Sequence, residues 1–280
     1  MKTGAQLLAD INNLHVQPGA LAFWWLGQMS FVVKAGGRIF YFDPFLTPYP
    51  SRQIPPLLDA GVVTNANWVF GSHDHGDHID RVSLPLIAAA SPHARFVCSR
   101  VSRKTLLDIG IPSDRITAMD ENIVSHEGPV TISAIPAQHE FFDRDPKLGY
   151  PHLCYIVQID GLTIAHLGDT LRYDGMVARL SKWKIDVMFV PINGRDAARY
   201  ARNCIGNMTY QEAVDLAGDV CPRLTVPSHY DMFADNSQDP QAFADYMSVK
   251  FPNRPFWIGD HGEPIIMGPK IWLDKKPRGL

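Results

Sequence analysis

Short apolar runs recur along the chain, and they have the length and composition of buried β-strands. They are rich in β-branched and aromatic residues, and polar or glycine-containing segments bound them. Such runs predict strands that are buried in a sheet. The three runs nearest the N terminus are separated by short turns and predict a meander. The predicted strands cover residues 21–25, 30–34, 38–43, 68–70, 130–135, 162–165, 186–191 and 223–226.

Segments with helical periodicity alternate with these runs. The apolar side chains within residues 7–14 predict a surface helix near the N terminus. Thr209 and Glu212 form a Thr-x-x-Glu capping box ahead of a second helical pattern, and Pro240 stands at the start of a third. Together the strands and helices predict a mixed fold of the α/β or α+β type.

Composition narrows the class of protein. The chain has 280 residues, 46% of them hydrophobic, and no linker-like tract, so we expect one domain over residues 1–280. A net charge of −3 and a pI near 6.4 argue against nucleic-acid or membrane partners. No apolar signal core or membrane-length run is visible, which favours a cytoplasmic protein with a small-molecule substrate; a homo-oligomer stays open. The four separated cysteines are expected to be reduced, buried thiols.

Residues 73–78 read His-Asp-His-Gly-Asp-His and carry the densest group of metal-competent side chains. Imidazole nitrogen and carboxylate oxygen suit borderline divalent cations. An extended segment or loop places residues 73, 75 and 77 on one side, and His78 can turn in behind them. Because the motif follows the predicted strand 68–70, we expect a loop at that strand's carboxyl end. Packing alone does not explain four such residues, since buried polar groups are costly unless they are paired or bind metal.

Three further candidate ligands follow predicted strands in the same way. His139 comes after residues 130–135, and Asp169 comes after residues 162–165. His229 follows the last predicted strand. We therefore expect all three at one shared rim. Seven N/O ligands exceed what one tetrahedral structural ion needs, and the lack of thiolates argues against a cysteine-rich structural site.

In this order, the positions resemble the metallo-β-lactamase superfamily. Its pattern is His-x-His-x-Asp-His, a lone His, Gly-Asp-Thr/Ser and a lone His, and Asp43 matches an early Asp of that family. The resemblance implies a four-layer αββα sandwich and a dinuclear site. It assigns one ion to His73, His75 and His139, a second ion to Asp77, His78 and His229, and the bridging role to Asp169.

A narrower resemblance links the chain to the L-ascorbate-6-phosphate lactonase family. It covers most of residues 18–268, and one departure is His139, which has no obvious counterpart in that lactonase. The resemblance favours manganese, whereas the ligand chemistry also permits zinc, with one or two ions per chain. The matching segments are residues 18–27, 73–80, 191–196, 206–208 and 227–231, together with Asn236, Asp239 and Pro240.

These patterns predict a metal-dependent hydrolase. The preferred substrate is the lactone of a sugar acid, with or without a phosphate group, opened by attack of a metal-bound hydroxide on the ester carbonyl. Asp77 is the candidate catalytic residue that receives or donates a proton. A phosphodiesterase that uses the same dinuclear centre is one alternative. A metal-dependent binding protein without turnover is another.

Four residues are candidate substrate contacts. If residues 195–203 are helical, Arg195, Arg199 and Arg202 share one stripe, and their forked guanidinium groups suit a phosphate dianion. A solvated, salt-bridged helix face explains the same pattern. His152 follows a polar loop and is either a substrate or ligand-supporting contact or a plain loop residue.

Two other histidines lie near the motifs. His166 precedes Asp169 on a predicted strand, and we expect it to be buried or to orient a ligand. His261 can approach the site from the C-terminal side.

Overall fold

Two mixed β-sheets form the centre of the molecule in a computed structural model that describes residues 1–268 and 272–273. The first sheet contains β1 (Leu21–Gly27), β2 (Ser30–Ala35), β3 (Arg38–Phe42), β4 (Trp68–Phe70), β5 (Arg95–Ser99), β6 (Ile116–Met119), β13 (Ile265–Met267) and β14 (Trp272–Leu273). The second contains β7 (Val124–Glu127), β8 (Val130–Pro136), β9 (Leu153–Ile159), β10 (Leu162–His166), β11 (Val187–Pro191) and β12 (Leu224–Ser228).

Strand direction brings several carboxyl ends to one edge of each sheet. The strand order is β14-β13-β1-β2-β3-β4-β5-β6 in the first sheet and β12-β11-β10-β9-β8-β7 in the second. Each sheet begins as an antiparallel meander and continues with parallel strands. Strands β1, β3 and β4 therefore end at the same edge, and so do β8, β10 and β12.

Of the seven described α-helices, all but one short helix cover the outer faces of the two sheets. The seven are α1 (Gly4–Asn13), α2 (Ser83–Ala90), α3 (Arg103–Asp108), α4 (Met176–Leu180), α5 (Ala197–Ala201), α6 (Tyr210–Val220) and α7 (Pro240–Lys250). The exception is α5, which has no buried residue. Buried residues of α1, α2 and α3 join an outer cluster with one face of the first sheet. Those of α4, α6 and α7 join an inner cluster that contains the other face of the first sheet and the residues of the second sheet. The four-layer αββα sandwich is confirmed.

Alternation along β1 shows why the first sheet is buried on both faces. Trp24 lies in the outer cluster, where its Nε1 donates to Asp10 Oδ2 over 3.0 Å. Phe23 lies in the inner cluster and meets Phe189 of β11 with ring centroids 5.4 Å apart. Because successive strand side chains point to opposite faces, one continuous apolar run supplies two packing surfaces.

The predicted elements agree with this architecture. β4 has the predicted bounds, and the capping box of α6 is present, with Thr209 N donating to Glu212 Oε2 over 2.9 Å and Glu212 N donating back to Thr209 Oγ1 over 3.3 Å. The expectation of four buried thiols is right for Cys98 and Cys154 and wrong for the other two: Cys204 is half-buried, and Cys221, which ends α6 in a left-handed conformation, is exposed. Within the described chain, no helix combines the length and the apolar character that a bilayer span requires. Residues 269–271 and 274–280 of the predicted domain lie outside the described residues.

Candidate metal centre

The loop after β4 folds the His-x-His-x-Asp-His motif into a tight turn. The backbone N–H groups of His78 and Ile79 donate to the carbonyl of His75 over 3.1 and 2.8 Å. His73 Nε2 lies 2.8 Å from His75 Nδ1, and the His78 ring returns to within 4.0 Å of the His73 ring, centroid to centroid. The predicted loop at a strand's carboxyl end is confirmed.

The second sheet places three more candidate ligands at the same edge. His139 follows β8, Asp169 follows β10 and His229 follows β12. Gly168 has a φ of +58°, and a Cβ atom there would lie 2.7 Å from the Ser72 Cβ. Glycine therefore permits the close approach of the Asp169 loop to the motif loop.

The seven candidate ligands form overlapping groups around Asp169. Asp169 Oδ1 is 3.3 Å from His78 Nε2, and its Oδ2 is 3.1 Å from His229 Nε2 and 3.9 Å from His139 Nε2. One carboxylate thus lies between the two halves of the cluster. Three sets have ligand atoms within 4.8 Å of one another: His73, His75 and His139; His73, His78 and Asp169; and Asp77, His78 and His229.

Desolvation within the cluster favours the neutral form of the imidazoles of His73, His75 and His139. It is the main cause that lowers the pKa of the buried His73 and of the more exposed His75, and it lowers the pKa of the buried His139 to about 4. Neutral imidazole is the form that binds a metal ion. This half of the cluster is therefore ready to bind a cation near neutral pH.

Carboxylates dominate the surroundings of His78 in the other half of the cluster. Burial disfavours the charged form of His78, but Asp169, Asp77 and Asp43 outweigh it and raise the His78 pKa. Against the effect of burial, His229 and His78 hold the pKa of Asp169 well below its usual range. Negative charge concentrated in a buried site is the environment that a divalent cation neutralises.

Two buried polar atoms supply an independent test of whether a metal ion fits. His78 Nε2 and Asp169 Oδ1 face each other, and neither has a hydrogen-bond partner among the described residues. Leaving such atoms unpaired costs ~1–3 kcal/mol each. Coordination to a metal ion would satisfy both, and the imidazole and carboxylate donors suit a borderline divalent ion. The residues fit a divalent metal.

Asp43 fixes the orientation of the His78 ring. It is fully buried just after β3, and its Oδ2 lies 2.6 Å from His78 Nδ1. Ser72 donates to the same carboxylate through its backbone N–H and its hydroxyl, each over 2.7 Å. With Nδ1–H donated to Asp43, the His78 Nε2 lone pair faces Asp169 and is available to a metal ion.

Gln28 is a site residue that sequence reasoning missed. It lies in the turn between β1 and β2, and its Nε2 donates to Asp77 Oδ2 over 2.8 Å and lies 3.1 Å from His229 Nε2. Its backbone carbonyl accepts the backbone N–H of His229 over 3.1 Å. A lone glutamine in a turn carries no sequence signal for this role, because its partners are about 50 and 200 residues away.

The additional histidines occupy three different environments. His152 lies beside the first group, with its ring centroid 5.0 Å from that of His73. His166 is buried, and its Nε2 lies 2.9 Å from the carbonyl oxygen of Met29, as expected for a structural histidine. His261 contacts Asp231 and does not reach the metal-competent cluster.

The structure corrects the arrangement of the arginine stripe. The helix predicted over residues 195–203 is wrong in extent, because α5 covers only Ala197–Ala201. Arg195 precedes this helix and pairs with Glu212 through two contacts of 2.6 and 2.8 Å. Arg199 donates to the carbonyls of Asn193 and Ser237, and Arg202 donates to the carbonyl of Asp235. The three guanidinium groups therefore contact different segments of the protein rather than forming one free stripe.

The fold and this cluster define a metal centre of the metallo-β-lactamase type. Residues 38–230 match the family model described as "Beta-lactamase superfamily domain", and the chain belongs to this family.

Known relatives extend over nearly the same length. A UPF0173 metal-dependent hydrolase of Thermococcus kodakarensis is 28% identical over 253 residues, which cover 88% of this chain and 95% of the relative. A UPF0173 metal-dependent hydrolase of Carboxydothermus hydrogenoformans is 28% identical, with 79% and 89% of the two chains covered. The solved structure of a metallo hydrolase from Ignicoccus hospitalis is similar in fold, with a TM-score of 0.69, 20% identity and coverage of 89% and 98%.

Proposed function

We propose that the protein is a metal-dependent hydrolase and that its substrate is a lactone. One observation carries this proposal: Asp169 lies between two groups of N/O ligands at the open edge of the two sheets. The family membership and the names of the relatives support hydrolysis. The lactone rests on the sequence resemblance to the ascorbate-phosphate lactonase family.

The seven metal-competent residues form two groups, each of which could hold one ion. One ion would be held by His73, His75 and His139, and a second by Asp77, His78 and His229, with Asp169 between them. Bound divalent ions would lower the pKa of a water molecule and polarise the ester carbonyl. Manganese and zinc are both compatible with this donor set.

Asp77 is the residue that would move a proton. Its side chain is 22% exposed, whereas that of Asp169 is only 5% exposed. Gln28 fixes one of its oxygens. Opening a lactone adds a water oxygen to the carbonyl carbon and breaks the bond to the ring oxygen. The water loses a proton and the departing ring oxygen gains one, and Asp77 would carry this proton.

A paired substitution within the motif tests this function. Asp77→Asn should abolish hydrolysis of a lactone panel that includes sugar-acid lactones. Asp74→Asn is the matched control, because the Asp74 side chain is 43% exposed and pairs with Arg81. It should leave the lactone rates nearly unchanged.

The same assay separates the alternatives. Activity on bis-p-nitrophenyl phosphate without activity on any lactone would favour a phosphodiesterase. Bound metal with no turnover of either substrate class would favour a binding protein. Either result would refute the lactonase proposal.

A further inference from the structure

A cleft with aromatic walls opens beside Asp77. Its volume is about 450 Å³, and Gln28, Gly76 and Asp77 line the end next to the metal centre. Phe45, Tyr49 and Phe233 line the cleft as well. The volume lies in the range that binds small organic ligands.

We propose that this cleft binds an apolar substituent of the substrate, either an alkyl chain or an aromatic ring. The proposal rests on the proposed function, because it takes the cleft as the entrance to the same centre. It narrows the lactone to one whose ring carries such a group. This substrate differs from the sugar-acid lactone, with or without a phosphate group, that the sequence resemblance suggested.

The aromatic residues leave apolar surface exposed next to the reacting groups. Phe233 lies between Phe45 and Tyr49, with ring centroids 6.4 Å from each, and the ring planes of Phe233 and Tyr49 are nearly perpendicular at 89°. Tyr49 is 58% exposed, and Val82 on the same cleft is 59% exposed. Exposed apolar surface gathered in a concave site is typical of ligand contact.

The charged groups of the cleft beyond the metal centre already have protein partners. Both oxygens of Asp80 are used, accepting among others the backbone N–H groups of Thr47, Val82 and Ser83 over 2.9, 3.0 and 3.0 Å. Of the described residues that line the cleft, Arg81 is the one cation, and it donates to Asp74 over 2.7 Å. A phosphate dianion would have to compete with Asp74 for the Arg81 guanidinium group.

The predicted phosphate-binding arginines support a wall of the cleft from behind. Arg199 donates to the carbonyl of Ser237 over 2.7 Å, and Arg202 donates to that of Asp235 over 3.3 Å. These carbonyls flank Asn236, which lines the cleft. Arg199 and Arg202 are therefore positioning residues for this wall.

Binding of straight-chain carboxylates tests the cleft without requiring turnover. Calorimetric titration of the metal-containing protein with butyrate, hexanoate and octanoate should show affinity rising about fourfold for each buried methylene group. The same titration with 6-phosphogluconate should show weaker binding than octanoate. Affinity that does not depend on chain length, or tighter binding of 6-phosphogluconate, would overturn the proposal.

A matched pair of tyrosine variants tests the location. Tyr49→Ala should reduce the dependence on chain length, because it removes an exposed wall of the cleft. Tyr200→Ala should preserve it, since Tyr200 is similarly exposed, at 55%, but does not line the cleft. If carboxylate affinity rises equally with chain length in Tyr49→Ala and in the unmodified protein, the apolar group binds elsewhere.

Kinetics with alkyl-substituted and unsubstituted lactones distinguishes the two proposals. Chain-length-dependent binding without hydrolysis of any lactone would refute the proposed function and would leave the cleft as a binding site for apolar groups. Hydrolysis at rates that do not depend on the alkyl group, together with equal carboxylate affinities, would refute the cleft proposal alone.

Discussion

The substitution Asp43→Asn should selectively weaken metal binding at His78. Asparagine preserves the size of the side chain, and like aspartate it tolerates the left-handed backbone, where Asp43 has a φ of +42°. The new amide group cannot accept all three hydrogen bonds that Asp43 receives from Ser72 and His78. If the amide nitrogen faces His78 Nδ1, the ring must expose Nδ1 as an acceptor. The proton then moves to Nε2, which can no longer bind a metal ion.

The magnitude follows from the type of hydrogen bond that is lost. A hydrogen bond to a charged group contributes ~1.5–3 kcal/mol, which corresponds to about 10- to 100-fold in metal affinity. Competition with a chromogenic chelator measures this affinity directly, and elemental analysis gives the number of ions per chain. We expect about one ion to be lost first, because the group of His73, His75 and His139 does not contact Asp43.

Asp160→Asn is a matched control for this experiment. Asp160 also has a left-handed backbone, with a φ of +52°, but it is exposed and accepts a hydrogen bond from Gly19 N over 2.7 Å. It should keep the metal affinity of the unmodified protein. A metal affinity of Asp43→Asn within twofold of this control would refute the assigned role of Asp43.

Three further predictions concern Asp169, the imidazoles of His139 and His152, and Arg202. Asp169→Ala should lose both ions by elemental analysis, and full retention would contradict the dinuclear arrangement. In chelator-treated protein the free energy of unfolding should fall as the pH drops from about 6.5 to about 4. The reason is that burial lowers the pKa of His139 and His152 to about 4, so the unfolded chain takes up protons first. Thermal unfolding across this range checks the sign, and stability that rises on acidification would be the opposite result. Arg202→Ala should change KM equally for a phosphorylated and an unphosphorylated lactone; a selective loss for the phosphorylated one would restore the phosphate-binding expectation.

Local patterns in the sequence were sufficient for many of the elements and for the list of metal-competent residues, but they did not predict strands such as β9. The strand β4 and the helix α6 follow from short-range preferences, namely a buried apolar run and a capping box. The motif of residues 73–78 is dense enough to stand out without any knowledge of its surroundings. His139, Asp169 and His229 each follow a predicted strand as well, and this placement predicted that they would meet at one rim.

Only the tertiary structure decided which groups surround this centre. Gln28 and Asp43 reach their partners from other strands, and the periodicity of a chain contains no information on such pairings. The sequence spacing of Arg195, Arg199 and Arg202 fits a stripe on one helix. In the structure, their guanidinium groups instead bind Glu212 and backbone carbonyls of distant loops. The aromatic cleft likewise combines Phe45 and Phe233, which are far apart in the chain. Backbone preferences act over a few residues, whereas hydrogen bonds and cleft walls depend on how the sheets and loops pack. The metal-competent side chains could therefore be predicted from sequence, and their surroundings could not.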